Sequence, residues 1–315
     1  MSAVTVPELW CPIPFTEPQA DHLLLARGQL ASWLESFPLG ERYLQAGGVE
    51  LAAFTTPGPA DVEALVLTAQ FHTWLFATDD TYCDEARDGD PGPYLALLPK
   101  LLAVLDPPFV PAVSDEPFVA ALVNLRDRVI GYASARRVRR FADTMREALL
   151  SLAWELPVRA GMVPLDSGTY RALRRRNGAV LPCIELSGLI SAVDPEDLLL
   201  DDIGVRKATA LAVDHIGIAN DLWSYAKETA SPERVPTLLP HVLMTERGVG
   251  LTEAVAATGA LCDELMSEFE AACHVIEEAH LPGAIGYMNV LRAWVRGNLE
   301  WSARCRRYHP GGSSR

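Results

Sequence analysis

Apolar residues recur at helical spacing along almost the whole chain, and the apolar/polar alternation that marks strands is nearly absent. Candidate helices cover about 18–36, 41–46, 60–78, 92–105, 115–130, 135–157, 167–191, 203–229, 236–247, 250–280 and 284–307, separated by Pro, Gly, Asp or Ser breakers. A chain patterned this way must bury helix faces against other helices. The predicted fold is therefore all-α, with helices of a length that packs into a bundle around a central space. The 315 residues, 49% of them hydrophobic, suffice for a large core, and the 23 prolines and 22 glycines are scattered and form no linker. One domain spanning 1–315 is the simpler organisation.

The ends differ from the body. Val6-Pro7-Glu8-Leu9-Trp10-Cys11-Pro12-Ile13-Pro14-Phe15 is too proline-rich for a helix and too aromatic for a solvated tail, so it should lie extended across the body. The last residues, 309–315, carry nothing with which to build a core and are expected to be disordered. No basic region followed by an apolar core opens the chain, and no apolar run reaches membrane-spanning length, which predicts a soluble protein. Six cysteines (Cys11, Cys83, Cys183, Cys262, Cys273, Cys305) show no C-x-x-C spacing, so neither a zinc site nor a disulfide framework is indicated and a cytoplasmic setting fits. The balance of 27 basic to 41 acidic residues, a formal charge of −14, argues against a nucleic-acid surface. An anionic substrate would need metal ions or local arginines.

Two motifs end apolar helical runs. In the first, Phe71-His72-Thr73-Trp74-Leu75-Phe76-Ala77-Thr78 leads into Asp79, Asp80 and Asp84, with Asp80 and Asp84 one turn apart. Carboxylates packed so closely repel one another, and hard oxygen ligands favour Mg²⁺ or Mn²⁺ over zinc. A solvated acidic helix end reads the same way when taken alone. In the second, Asn220, Ser224 and Glu228 recur every fourth residue and share one helix face, after a mostly apolar stretch from Ala208 to Ala219. An inward polar ladder needs partners. His72 and His215, on apolar helices and in no ligand pair, read as hydrogen-bonded core histidines. Asp197, Asp201 and Asp202 read as the acidic N-terminal cap of the following helix.

Together, Asp79-Asp80-x-x-x-Asp84 and Asn220-Asp221-Leu222-x-Ser224-x-x-Lys227-Glu228 resemble the paired motifs of bacterial class I terpene synthases (terpene cyclases), in the same order and at a similar separation, here 141 residues. Arg174, 46 residues before Asn220, stands where that family has its pyrophosphate-sensing arginine, in the run Arg171-Ala172-Leu173-Arg174-Arg175-Arg176. Asn177 and Gly178 fall on the family's linker and effector positions; the linker is often aspartate, whereas Asn177 can hydrogen-bond Arg174 without a charged pair. Arg307-Tyr308 resembles the terminal pair that binds pyrophosphate on closure, and Trp10-Cys11-Pro12-Ile13-Pro14 the segment, within residues 1–17, that caps the site. The similarity covers residues 10 to 308.

The resemblance implies a single-domain helical bundle around an apolar cavity. Three Mg²⁺ ions would be held by Asp79, Asp80, Asp84, Asn220, Ser224 and Glu228, and pyrophosphate would be bound by Arg174, Lys227, Arg307 and Tyr308. Phe76 and Trp301 are the candidates for cation–π contact with the carbocation, with core packing as the plain alternative. Pyrophosphate itself or the Gly178 carbonyl would take the final proton. A linear prenyl diphosphate would be cyclised, farnesyl diphosphate by family frequency, with geranyl or geranylgeranyl diphosphate as alternatives; a homodimer would be usual. A chain-elongating prenyltransferase would carry aspartate-rich motifs on both metal helices, and a non-catalytic isoprenoid-binding protein would have lost ligand positions. The Asn220/Ser224/Glu228 ladder discriminates against the first and the occupied ligand positions against the second, and both stand as the more distant alternatives.

Overall fold

The computed structural model describes residues 5–56, 61–84, 90–107, 109, 114–191, 197–230 and 235–309. Among them there is no strand, in keeping with the all-α expectation. In chain order the helices are α1 (Ala20–Ser36), α2 (Gly48–Thr55), α3 (Val62–Asp79), α4 (Gly92–Val104), α5 (Pro117–Ile130), α6 (Ala135–Arg159), α7 (Ser167–Asn177), α8 (Val180–Ile190), α9 (Asp197–Asp201), α10 (Ile203–Glu228), α11 (Leu239–Arg247), α12 (Leu251–Glu278) and α13 (Ala284–Arg304). A 3₁₀ turn, Glu41–Gln45, precedes α2, and a π turn, Asp80–Asp84, continues α3.

Helix starts follow local chemistry. Asp61, Glu116, Ser134, Asp166 and Asp202 each accept a hydrogen bond from a first-turn backbone N–H of α3, α5, α6, α7 and α10. Asp202 thus caps α10, whereas Asp201, read as part of the same cap, lies at the end of α9; the side chain of Asp197 and the tail after residue 309 lie outside the described residues.

Four boundaries differ from the sequence expectation. The pattern after Gln45 reads as a loop because Gly47, Gly48, Thr55 and Thr56 bracket it, yet residues 48–55 form α2. Its entry is Gly47, at φ 87°, where only glycine is unstrained. The predicted helix 167–191 breaks in two, because Ala179 adopts a left-handed φ of 51° between α7 and α8. α6 runs past Pro157 to Arg159, where a helix usually stops. Finally, residues 197–201, read as part of an acidic cap, form the short helix α9; the π turn that carries the acidic motif on from α3 is an insertion of a kind frequent at functional sites.

α2 is locked to α13 by close backbone approach. Trp301 Nε1 donates to the Gly47 carbonyl at 2.8 Å, and a Cβ placed on Gly297 would stand 2.2 Å from the Phe54 carbonyl oxygen. Because that obstacle is backbone, it cannot swing aside. Gly297→Ala should therefore destabilise the fold by about 3 kcal/mol, at the upper end of overpacking costs, read as a lower denaturant midpoint. An unchanged midpoint would show that α2 and α13 do not meet so closely.

The proline-rich segment lies against the body as expected. Trp10 N–H donates to Asp263 at 2.8 Å, Pro7 packs on Gly259 of α12, and Phe15 meets Phe54 edge-on at 5.1 Å. It contributes no residue to the central cavity, which is walled by α2, α3, α6, α7, α8, α10 and α13. All six cysteines are free thiols. Among the described residues no helix is long and apolar enough to cross a membrane.

His72 and His215 are buried, at 1% exposure, but neither ring nitrogen of either makes a hydrogen bond. Burial pushes them down to about 3 and about 4, so both imidazoles are neutral near pH 7. The expected satisfied core histidine is not what the fold builds, and His72 lines the cavity.

Candidate active site

α3 delivers Asp79 at its last turn, and the wider π turn gathers one oxygen from each of Asp79, Asp80 and Asp84 within 4.8 Å of one another. α10 delivers Asn220, Ser224 and Glu228 along one face, all of which line the cavity. The two motifs meet through cationic side chains. Lys227 Nζ donates to Asp80 at 2.8 Å and to Asp84 at 2.5 Å. Arg307 binds Asp80 with two bonds of 2.7 Å while its guanidinium lies 4.7 Å over the Phe76 ring.

Arg159 is the residue that sequence reasoning missed. Its guanidinium is 3.1 Å from Asp84, 2.8 Å from Glu155 and 3.2 Å from Glu228. It is buried among these three carboxylates. The available signal was Glu155 and Arg159 at i,i+4 spacing in an apolar helix, hidden because Pro157 between them reads as a stop. Burial alone would raise Asp84, but Arg159 and Lys227 hold it well below the usual carboxylate range. Glu228 is pushed up to about 7, by burial first, with Asp84 adding to it and Arg159 opposing.

Of the arginine run only Arg174 lines the cavity. Its Nη2 donates to Asn220 Oδ1 at 2.8 Å, and its Nε lies 3.0 Å from Asp221, a fully buried carboxylate that also accepts from Tyr170 and from the Leu239 N–H at 2.9 Å. Asp221, quoted within the second motif but given no role, thus sets the arginine's position. Arg175 is drawn away by a two-bond pair with Asp214, at 2.5 and 2.6 Å. Arg171 also faces Asp214, and Arg176 faces Glu147.

Asn177 does not bond Arg174 as anticipated: its amide nitrogen donates to Glu155 at 2.6 Å. Arg174 has its charged partner in Asp221 instead, which removes the need for an aspartate at position 177. Asn177, Gly178 and Ala179 all line the cavity at the break between α7 and α8.

Tyr308 accepts from Asn220 Nδ2 at 2.6 Å and meets Trp301 edge-on at 5.5 Å; Trp301 in turn stacks on Phe76 at 5.6 Å, with 13° between the planes. All the predicted site residues except Asp80 line this one cavity. One end is charged, and beyond Phe76 and Trp301 the wall includes Leu75, Met145, Leu149, Leu152, Ile216 and Trp294.

The donor set fits hard divalent cations. It consists of carboxylate, amide and hydroxyl oxygens, and within it Ser224 Oγ is buried without a hydrogen-bond partner, while Asp84 Oδ1 faces only the Arg159 guanidinium. Lys227, Arg159 and Arg307 supply the charge that otherwise balances these carboxylates.

Residues 70–268 match the family model described as terpene synthase family 2, C-terminal metal binding. Among curated proteins the chain is 28% identical to a bonnadiene synthase of Allokutzneria albata, covering 96% of this chain and 86% of that enzyme. It is 29% identical to a 4-epi-cubebol synthase ((2E,6E)-farnesyl diphosphate cyclizing) of Streptosporangium roseum, covering 96% and 92%. Its fold matches the crystal structure of the SVS_A2 protein from ancestral sequence reconstruction, with a TM-score of 0.85 at 23% identity over 95% of this chain and 90% of that one. It also matches the linalool/nerolidol synthase of Streptomyces clavuligerus, with a TM-score of 0.83 at 22% identity over 96% and 100%.

Proposed function

We propose that this chain, which belongs to terpene synthase family 2, ionises a linear prenyl diphosphate, farnesyl diphosphate in the first instance, and cyclises the carbocation to a sesquiterpene with release of pyrophosphate. The observation that carries this reading is one cavity with a carboxylate and guanidinium cluster at one end and aromatic and aliphatic walls beyond it. The relative of Streptosporangium roseum, named as cyclising farnesyl diphosphate, supports the substrate.

Asp79, Asp80, Asp84, Asn220, Ser224 and Glu228 would hold Mg²⁺, three ions in our reading, which lower the cost of charge on the leaving diphosphate. Arg174 is aimed by Asp221, so its guanidinium is preorganised toward the developing negative charge. Lys227 and Arg307, now bound to Asp80, are placed to exchange that carboxylate for phosphate oxygens, with Tyr308 donating beside them. Phe76 and Trp301, stacked on one another at the mouth of the apolar wall, stand beside the place where the allyl cation would form, and Arg307 leaves the Phe76 face when it turns to phosphate; the aliphatic wall keeps bulk water out.

A ligand that binds only the folded state raises its melting midpoint. Mg²⁺ with pyrophosphate, at about 100 times the dissociation constant, should stabilise the protein by roughly 2.7 kcal/mol, and EDTA should abolish the shift. A midpoint indifferent to both would remove the metal and pyrophosphate roles together.

A further inference from the structure

Within a carbocation cavity a polar side chain is a hazard, because the cation reacts with any nucleophile it meets. Beyond the charged end the wall includes His72 and Asn298, besides the Cys183 thiol and Thr78, whose hydroxyl donates to the Trp74 carbonyl. His72 and Asn298 are 1% and 5% exposed, and neither His72 ring nitrogen nor Asn298 Oδ1 makes a hydrogen bond. The Gly48 backbone beside the imidazole satisfies neither nitrogen. Buried polar atoms are normally paired, with protein or with ordered water.

The two side chains share one layer of the wall. His72 meets Trp294 edge-on at 5.4 Å, and Phe76, one turn further along α3, stacks on Trp301 at 5.6 Å. Asn298 stands on α13 between Trp294 and Trp301, one turn after the former. α3 and α13 therefore rise together along this wall, with His72 and Asn298 just beneath the Phe76 and Trp301 layer. His72 lies seven residues before Asp79, about 10 Å along the helix at 1.5 Å per residue. The layer is thus set back from the leaving group and beside the hydrocarbon chain.

We propose that His72 and Asn298 hold a water molecule in this layer and deliver it to the carbocation, so that the product is a cyclic terpene alcohol; this rests on the prenyl diphosphate reading above. The water donates one hydrogen bond to Asn298 Oδ1 and the other to an unprotonated ring nitrogen of His72, which leaves a lone pair turned toward the cavity. That lone pair forms the C–O bond at the cationic carbon. One O–H bond of the resulting oxonium then breaks, its electrons stay on oxygen, and the proton passes to the imidazole. The cation is discharged, and the proton resides on His72. Because burial disfavours the charged ring, the imidazolium gives its proton to solvent when the product leaves.

The experiment is turnover of farnesyl diphosphate by the Mg²⁺-loaded protein in H₂¹⁸O, with the wild type beside His72→Phe and Asn298→Leu. The wild type should give a cyclic alcohol carrying one heavy oxygen. In each variant the ratio of cyclic alcohol to cyclic hydrocarbon among the products formed should fall at least tenfold. That ratio is independent of total turnover, so a slowed variant still reports, and if one variant does not fold the other reads the same quantity. Unlabelled hydrocarbon as the wild-type product would overturn the proposal, as would an unchanged ratio in the variants. If geranyl, farnesyl and geranylgeranyl diphosphates all release no pyrophosphate, the function reading itself fails and the water site falls with it.

Discussion

Replacing Asn220 with alanine is expected to lower kcat/KM for the prenyl diphosphate by about 10³-fold, roughly 4 kcal/mol of transition-state stabilisation. Asn220 stands at the crossing of three parts of the site. Its Oδ1 belongs to the oxygen ladder of α10 and receives Arg174, and its Nδ2 holds Tyr308. On the proposed function, the substitution removes a cation ligand and, by breaking both bonds, releases two pyrophosphate donors at once. Alanine is the best helix former, so α10 should persist and the loss should be catalytic. Steady-state kinetics on farnesyl diphosphate, with helical content followed by circular dichroism, separates the two. Activity within threefold of wild type would show that the ladder does not hold the cation.

Arg159→Met should have the largest effect on stability. Asp84, Glu155 and Glu228 are gathered around one buried guanidinium, and removing it leaves carboxylates buried without their counter-charge. Breaking a buried pair by deleting one partner costs about 3–5 kcal/mol, which would lower the melting midpoint by roughly 5–8 °C in a domain of this size. A second effect distinguishes this from simple loss of packing. Divalent cations can replace the missing charge, so the rise in midpoint produced by Mg²⁺ and pyrophosphate should be larger in Arg159→Met than in wild type. An equal or smaller rise would mean that Arg159 supports the fold without sharing the cation site.

Much of this architecture is legible from residue pattern because helix faces obey one period. The long helices α3, α6, α10, α12 and α13 carry apolar positions at helical spacing together with recognisable caps or breakers, and their predicted limits fall within a few residues of the observed ones. α2 escapes because its boundaries are glycines and threonines whose meaning depends on α13: Gly47 is small where the Trp301 side chain approaches and Gly297 where the Phe54 backbone does, which one strand of text does not display.

The site divides along the same line. The oxygen ladder of α10 is local, since every fourth residue faces one way, and Arg174 is singled out by register. Which arginine enters the cavity is settled by Asp214 and Asp221, two carboxylates of α10 that draw Arg175 outward and Arg174 inward. Arg159 is illegible for a different reason: the helix that carries it continues through a proline that ordinarily ends one. Asn177 shows how a partner moves. Its amide is committed to Glu155, and the charge that an aspartate would have offered Arg174 comes from Asp221. His72 and Asn298 are polar letters in apolar helices, and their significance lies in what fails to pair with them.

The central claim is that the two motifs form one site that triggers ionisation of a prenyl diphosphate. Its most direct test is incubation of the purified protein with geranyl, farnesyl and geranylgeranyl diphosphates plus Mg²⁺, with released pyrophosphate quantified and organic products identified by mass spectrometry. The account predicts Mg²⁺-dependent release of pyrophosphate and a cyclic fifteen-carbon product from farnesyl diphosphate, both abolished by EDTA. No pyrophosphate from any of the three, or a longer diphosphate formed when isopentenyl diphosphate is added, would contradict it.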